Sequence, residues 1–443
     1  MSKRLRNDVI LSPGTNPLLA HRVPDPFNPS IPMPETKLPT GVFQHKVHLN
    51  RSTSASPLSL PLDTLANFIH YSPSFPILKN PQHPHKLNPP EGCVVNFVNS
   101  ETGSAVNKYS STSEAFLNSQ SVIINNAHLI SPLANKLSKH VTQVTGVPNV
   151  YAQVYITPNF RRGGKTGAVR GHNDDRDVFV YQVLGSKLWT AYDNSRTIGV
   201  RWPKFDEQLG KNDLECKIKM QPKADNELES HPVKVGDVLY IPRGGVHHAE
   251  NSGRETSIHF TIALPTSYLS AEWAVSEIFD DALTKMEPSA EWNGFCSKGE
   301  EIERFKKILM EGISENKVRE KIKEGVKEVK ANYEKSCKEW EGRRVEYFKK
   351  VGEGSDKARK CCWGSKVRWN EGQKPSNTGE LVVCEEIEED VNRIIEFLKL
   401  DSNIAVEVSE LAFKLKVMDN LSFLLLMKVL VEKGALVVDK VEV

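Results

Sequence analysis

Short apolar runs separated by turn residues dominate the middle of the chain. Brief runs occupy 94–98 and 122–124, and a longer run at 178–183 leads to a turn at 185–186 and then to Lys187, Leu188 and Trp189. β-Branched and aromatic residues fill these runs, a composition typical of strands. Residues 178–189 are therefore predicted to form a hairpin of half-buried strands, and 233–264 to supply the last strands of the same β-structure.

Helical spacing flanks this β-rich region. Apolar residues recur every three or four positions in 58–71, which contains the helix-start signal Asp63, and again in 131–145. Both segments are therefore predicted to be helices. Beyond Pro265 the pattern is helical again and includes a long, heavily charged stretch at 302–347.

The two ends of the chain differ in character. Residues 1–57 are rich in Pro, Ser, Thr and Asn and are predicted to be an irregular arm. Residues 406–438 predict a strand, a helix (409–415), a turn, a second helix (421–432) and a final strand, an order that resembles a winged helix. The second helix is almost wholly apolar, whereas helices that read nucleic acid are basic and polar. We therefore expect it to pack against protein.

Composition narrows the class of protein. A net charge of +2 gives no overall signal for nucleic acid, although residues 296–375 hold 22 Lys and Arg against 15 Asp and Glu. Such a basic stretch could bind RNA or chromatin. Alternating charges of this kind more often indicate a solvent-exposed helix with salt bridges along its surface. No run of 18 apolar residues predicts a membrane span. Seven cysteines without a C-x-x-C pair favour a reducing compartment.

Two segments carry candidate metal ligands. His172 and Asp174 stand two positions apart, a spacing that in an extended segment directs both side chains to one face. Residues 236–249 read as a strand and a bend that ends in His247 and His248. Adjacent strand residues point in opposite directions, so one of these two histidines can complete a two-histidine, one-carboxylate set, which suits Fe(II). A buried histidine hydrogen-bonded to an aspartate is the alternative interpretation.

Four landmarks, in order, carry a family resemblance. They are Asn149–Pro158 (NVYAQVYITP), His172–Trp189, Pro242–His247 (PRGGVH) and Ser257–Thr261 (SIHFT). Residues 58–264 resemble the JmjC-type cupin family of ribosomal oxygenases, whose animal members are described as bifunctional lysine-specific demethylases and histidyl-hydroxylases. The resemblance implies an α+β chain with a double-stranded β-helix (cupin or JmjC jelly roll), a helical dimerisation region over 265–375 and a winged-helix domain over 376–443.

The resemblance also implies roles for individual residues. His172, Asp174 and His247 match the family's Fe(II) ligands, which selects His247 and leaves His248 as the fallback. Lys187 matches the lysine that binds the far carboxylate of 2-oxoglutarate, with 2-oxoglutarate and O2 as cosubstrates.

Two positions depart from the family pattern. Gln153, assigned to cosubstrate binding, stands in place of an asparagine, and Asn173 stands where a tyrosine is usual. Either change can alter the fit of substrate or cosubstrate, and neither removes a ligand.

Other polar residues receive weaker assignments. Arg161, Arg162 and Arg170 belong to a glycine-rich loop predicted at the mouth of the site, where they either bind substrate or are solvated charges. His259 is expected to be a packed core histidine.

The function implied is an Fe(II)- and 2-oxoglutarate-dependent hydroxylase acting on a His or Arg of a ribosomal protein. A histone lysine demethylase with the same iron chemistry is one alternative, and a non-catalytic cupin scaffold is another. A protein substrate and a homodimer are the expected partners, without a membrane or a strong direct nucleic-acid signal. The nucleus or nucleolus is the expected location, with the cytoplasm as the alternative.

Overall fold

The computed structural model describes part of the chain. The described residues are 48–51, 62–71, 94–100, 105–106, 112–129, 131–147, 151–158, 171–174, 176–192, 227–251, 255–264, 266, 274–275, 277–278, 313–328, 330–331, 334–335, 361–370, 383–400, 404–416 and 418–439. The predicted arginine loop and most of the N-terminal arm lie outside them. So does most of the expected dimerisation region, from which the helical residues 315–328 are described and are largely exposed.

Described helices precede and follow a β-rich region, as the apolar pattern predicts. The strands are β1 (His48–Asn50), β2 (Val94–Asn99), β3 (Ala105–Val106), β4 (Gln120–Asn125), β5 (Tyr151–Thr157), β6 (Asp177–Leu184), β7 (Ser186–Tyr192), β8 (Glu227–Lys234), β9 (Val238–Ile241), β10 (His247–Glu250), β11 (Ser257–Leu264), β12 (Lys366–Trp369), β13 (Val406–Glu407) and β14 (Leu436–Val438). The labelled helices are α1 (Leu62–Tyr71), α2 (Thr112–Leu117), α3 (Pro132–Thr145), α4 (Glu385–Leu400), α5 (Val408–Leu415) and α6 (Asn420–Glu432).

Two antiparallel sheets face each other in the centre of the structure. The larger has the order β1-β9-β6-β11-β5-β4-β2-β3, and the smaller has the order β10-β7-β8. Between them lies an apolar layer that includes Val178, Trp189 and Val233. Facing antiparallel sheets joined by strands that pass from one to the other form a jelly roll, the architecture expected for this region.

The predicted hairpin at 178–189 is wrong, because β6 and β7 do not pair. Strand β6 pairs with β9 and β11 in the larger sheet, whereas β7 pairs with β8 and β10 in the smaller one. The chain crosses between the sheets at Gly185, whose φ is 61° and whose missing Cβ would lie 2.4 Å from the Thr256 carbonyl oxygen. Other residues pack against both faces of β6. Nearly all of this strand is therefore buried, whereas the sequence predicted a half-buried strand.

Helices cover the outer face of the larger sheet. Phe179 and Tyr181 from β6 join Phe260 from β11 in a core that continues through α1, α2 and α3. Helix α3 begins after Ser131, whose hydroxyl accepts a hydrogen bond from Ala134 N (3.2 Å), and it ends at Gly146 in the left-handed conformation. This matches the helix predicted over 131–145 and leaves the opposite sheet face for chemistry.

The C-terminal elements continue the same core. Strands β12, β13 and β14 form a small sheet, and the strand, helix, turn, helix and strand order predicted for 406–438 is present. Helix α6 is buried along most of its length and contacts α1 and α2. The expectation that this apolar helix packs against protein is therefore confirmed. No helix in the described part of the chain is long and apolar enough to cross a membrane.

Candidate metal centre

Two histidines and an aspartate meet at one end of the facing sheets. One side-chain ligand atom from each of His172, Asp174 and His247 lies within 4.8 Å of the other two. Asp174 is central, because its Oδ1 lies 3.9 Å from His172 Nε2 and its Oδ2 lies 3.9 Å from His247 Nε2. Two imidazoles and one carboxylate are the donor set of a non-haem Fe(II) centre with open coordination positions.

Backbone pairing brings these residues together. His172 N donates to His247 O (3.0 Å), and His247 N donates to His172 O (2.9 Å), forming an isolated antiparallel bridge. Gly244 N donates to Asp174 O (2.8 Å), so the bend before β10 is held against the segment before β6. Residues separated by 70 and 75 positions thus share one short stretch of paired backbone.

His248 is excluded from this cluster by strand alternation. Its ring stacks on Tyr192, and its Nδ1 lies 2.7 Å from the Tyr192 hydroxyl on the opposite face of the smaller sheet. The structure therefore places His247, the residue that the resemblance selects, in the cluster and His248, the fallback, outside it.

The environment of His247 favours a neutral imidazole. The side chain is buried, and burial together with the neighbouring His172 lowers its pKa to about 4. Its Nδ1 lies 2.8 Å from the Gly245 carbonyl oxygen, to which a protonated Nδ1 would donate. That hydrogen bond leaves the Nε2 lone pair directed to the cluster, the arrangement usual for histidines that bind metals.

A cavity extends from the three residues into the space between the sheets. Its other lining side chains are Tyr155, Val178, Val180, Lys187, Trp189, Ala249, His259 and Thr261. Mostly apolar walls with a few polar groups are typical of small-molecule sites.

Lys187 supplies a buried cation to this cavity. Its side chain is 1% exposed, and its Nζ donates to Thr157 Oγ1 at 2.9 Å. The residues that the structure describes give it no carboxylate partner, and burial lowers its pKa to about 7. A buried ammonium without a counterion is costly, so this end of the cavity favours an anionic ligand.

His259 lies beside Lys187 and is more than a packed core residue. Its ring stacks on Tyr155 with centroids 4.8 Å apart, and it contacts the edge of Trp189. The ring also lines the cavity, and its buried Nδ1 has no hydrogen-bond partner among the described residues. Burial and then Lys187 lower the pKa of His259 well below its usual value, so the ring is neutral at pH 7.

Alternation along β11 could have revealed this cavity residue. Ser257, His259 and Thr261 are polar positions between the apolar residues of β11. Period-two alternation of this kind marks one polar strand face.

Gln153 and Asn173, the two positions that depart from the family pattern, contact neighbouring residues. Gln153 Nε2 donates to Asn125 Oδ1 (2.7 Å), and Gln153 Oε1 accepts from the Tyr155 hydroxyl (3.2 Å). Gln153 thus reaches the cavity through Tyr155 and is not one of its lining residues. Asn173 is buried, with its Nδ2 3.5 Å from Gly244 O. Arg161, Arg162 and Arg170 lie outside the described residues.

Comparison with known families identifies the region that contains the site. Residues 128–271 match the JmjC domain family. Over these residues the chain is similar to JmjC domains. The matched residues include β5 to β11 and contain His172, Asp174, Lys187 and His247.

Curated relatives support the same assignment. "Bifunctional lysine-specific demethylase and histidyl-hydroxylase NO66" of Drosophila melanogaster is 31% identical over 115 residues, which are 26% of this chain and 15% of that protein. "Ribosomal oxygenase 2" of Mus musculus is 31% identical over 125 residues, 28% of this chain and 22% of that protein. The match thus spans less than a quarter of either relative.

Solved structures of the Escherichia coli ribosomal oxygenase YcfD also align with the chain. One has 14% sequence identity and a TM-score of 0.36 over 90% of this chain and 96% of that one. Another, in complex with cobalt and 2-oxoglutarate, has 13% identity and a TM-score of 0.35 with the same coverage.

Proposed function

We propose that this protein is an Fe(II)- and 2-oxoglutarate-dependent oxygenase that hydroxylates a protein side chain. One observation carries the proposal: a two-histidine, one-carboxylate cluster shares a cavity with a buried lysine that has no carboxylate partner in the described structure. The cluster suits Fe(II), and the lysine suits the far end of a dicarboxylate. A metal alone would leave Lys187 unexplained.

In this proposal His172 Nε2, Asp174 and His247 Nε2 hold the iron. When bound, the iron and 2-oxoglutarate supply oxidising chemistry in which O2 is consumed, 2-oxoglutarate becomes succinate and CO2, and one oxygen atom enters a substrate C–H bond. Lys187 and Thr157 bind the far carboxylate and orient the cosubstrate. His259 is neutral, its Nδ1 has no hydrogen-bond partner among the described residues, and it adds a hydrogen-bonding group beside them.

In this proposal the walls of the cavity exclude water and hold the reacting groups in place. Trp189 packs against His247 with ring centroids 5.7 Å apart and against His259 at 5.3 Å, so it separates the metal end from the lysine end without adding a donor atom to the cluster. Val178 and Val180 make the adjoining wall apolar. Such walls exclude water and hold the reacting groups in place.

The substrate we propose is a His or Arg of a ribosomal protein. The sequence similarity to a histidyl-hydroxylase and to a ribosomal oxygenase supports this class, and the first of those names also includes lysine demethylation. A homodimer formed through 265–375, a winged-helix domain over 376–443 and a nuclear or nucleolar location belong to the same proposal.

The test uses the full chain purified anaerobically, with His172→Ala as control. We expect iron to bind the parent protein and not the variant, and 2-oxoglutarate to be converted to succinate only by the parent. Mass spectrometry of ribosomal proteins and methylated histone tails then identifies the reaction. A gained oxygen atom supports hydroxylation, and a lost methyl group supports demethylation. Failure of the parent chain to bind iron would overturn the oxygenase proposal and favour a scaffold.

A further inference from the structure

Asp177 stands outside the metal cluster, yet its carboxylate joins the two segments that carry the ligands. It follows Asp174 by three positions at the start of β6 and is fully buried. Its Oδ1 accepts from Arg243 N (3.0 Å), in the bend four residues before His247, and from the Tyr240 hydroxyl (2.7 Å). Its Oδ2 accepts from the Thr266 hydroxyl just beyond β11.

These contacts fix the geometry of the bend. The backbone bonds between Gly244 and Asp174 and between His172 and His247 hold the same two segments, and substitutions that keep the backbone N–H do not remove them. Asn173 approaches Gly244 O only at 3.5 Å. Among the described residues, the Asp177 carboxylate is a side-chain link through which the approach of His247 to Asp174 can be tested.

We infer that Asp177 is a positioning residue that sets the distance between His247 and Asp174 and thereby the affinity for the metal. This inference rests on the proposed metal centre and adds a residue that supplies no ligand atom. A carboxylate that accepts three hydrogen bonds orients the bend before any metal binds. Partners beyond the ligands themselves commonly change metal affinity by about 10- to 100-fold.

The test is a Co(II) titration of the full chain without 2-oxoglutarate, followed by the visible absorption of the bound ion. For Asp177→Ala we expect affinity to fall about 10- to 100-fold, with a changed Co(II) spectrum. Asp177→Asn keeps one oxygen for Arg243 N and Tyr240 and can donate its amide to Thr266. We expect it to retain the parent affinity within about threefold and the parent spectrum. Should Asp177→Ala not fold, Asp177→Ser replaces it with the same expectation.

Asp419→Ala is the matched control. That carboxylate accepts hydrogen bonds from Leu421 N, Ser422 N and Thr256 at the N-terminus of α6, away from the metal cluster. We expect its loss to lower the melting temperature without changing Co(II) affinity or spectrum.

The outcomes separate the two proposals. Unchanged Co(II) affinity and spectrum in Asp177→Ala would overturn the positioning role, as would an Asn variant as weak as the Ala variant. If His172→Ala binds Co(II) as tightly as the parent, the metal centre itself fails.

Discussion

Lys187 offers a direct test of the buried cation, because its charge should destabilise the protein when no ligand is bound. Its pKa is about 7 in the fold against a reference value of 10.5. The unfolded chain therefore binds more protons between these values, and stability rises with pH across that window. The destabilisation is absent above pH 10.5, grows as the pH falls and is complete below about pH 7.

The magnitude follows from the two pKa values. At 1.36 kcal/mol per pKa unit, the ammonium costs about 4 kcal/mol at pH 7 and about 2 kcal/mol at pH 9. Lys187→Met keeps an unbranched side chain and removes the charge, but it also loses the hydrogen bond to Thr157, worth about 1 kcal/mol. We expect the variant to be about 3 kcal/mol more stable than the parent at pH 7 and about 1 kcal/mol more stable at pH 9.

Urea unfolding of the metal-free full chain at the two pH values measures this difference. A second series with 2-oxoglutarate and Co(II) should stabilise the parent and have little effect on Lys187→Met. Lys428→Met is the matched control, because Lys428 is also fully buried but donates to the Cys361 carbonyl, away from the cavity. It should keep the full response to ligand. A Lys187→Met variant less stable than the parent at pH 7, or a difference that does not change with pH, would refute the reasoning.

Three further predictions concern the cluster, the crossing between the sheets and the C-terminal helix. Asp174→Ala should lose at least about 90% of bound iron by elemental analysis while the circular dichroism of the metal-free protein is unchanged; retained iron would remove Asp174 from the ligand set. Gly185→Ala should lower the free energy of unfolding by about 2–4 kcal/mol, because it adds a clash with Thr256 O to the left-handed strain. Gly146→Ala, with a φ of 71° and open space around it, should cost about 1 kcal/mol, and equal losses at both glycines would contradict the clash. Leu425→Ala in the fully buried face of α6 should cost about 2–5 kcal/mol in a single unfolding transition detected by both fluorescence and circular dichroism, whereas two separate transitions would show that the C-terminal elements unfold independently.

The ligand cluster could be predicted because its signals are local. His172 and Asp174 share a spacing of two, and the adjacent His247 and His248 must point to opposite faces. Spacing therefore limited the third candidate ligand to two residues, the family resemblance selected His247, and the fold places His247 in the cluster.

The pairing of β6 could not be predicted from its residues. Two strand-like segments joined at Gly185 are compatible with a hairpin or with a crossing between sheets, and the choice depends on partners far away in the chain. One sign was present, since β6 lacks the polar alternation of a strand with a solvated face. Asp177 was missed for a similar reason, because its partners Tyr240 and Thr266 lie 63 and 89 positions away.

The packing of the last helix against the first has a consequence for biosynthesis. Asp63, in α1, accepts a hydrogen bond from Trp363 N across a separation of 300 residues, and the apolar face of α6 that contacts α1 lies farther along still. At roughly 5–20 residues per second on the ribosome, α1 waits about 15–60 seconds for these partners. During that interval the apolar side chains of α1, among them Leu65, Ala66 and Ile69, are not yet buried against α6. We therefore expect the nascent chain to depend on chaperones until the C-terminal elements emerge.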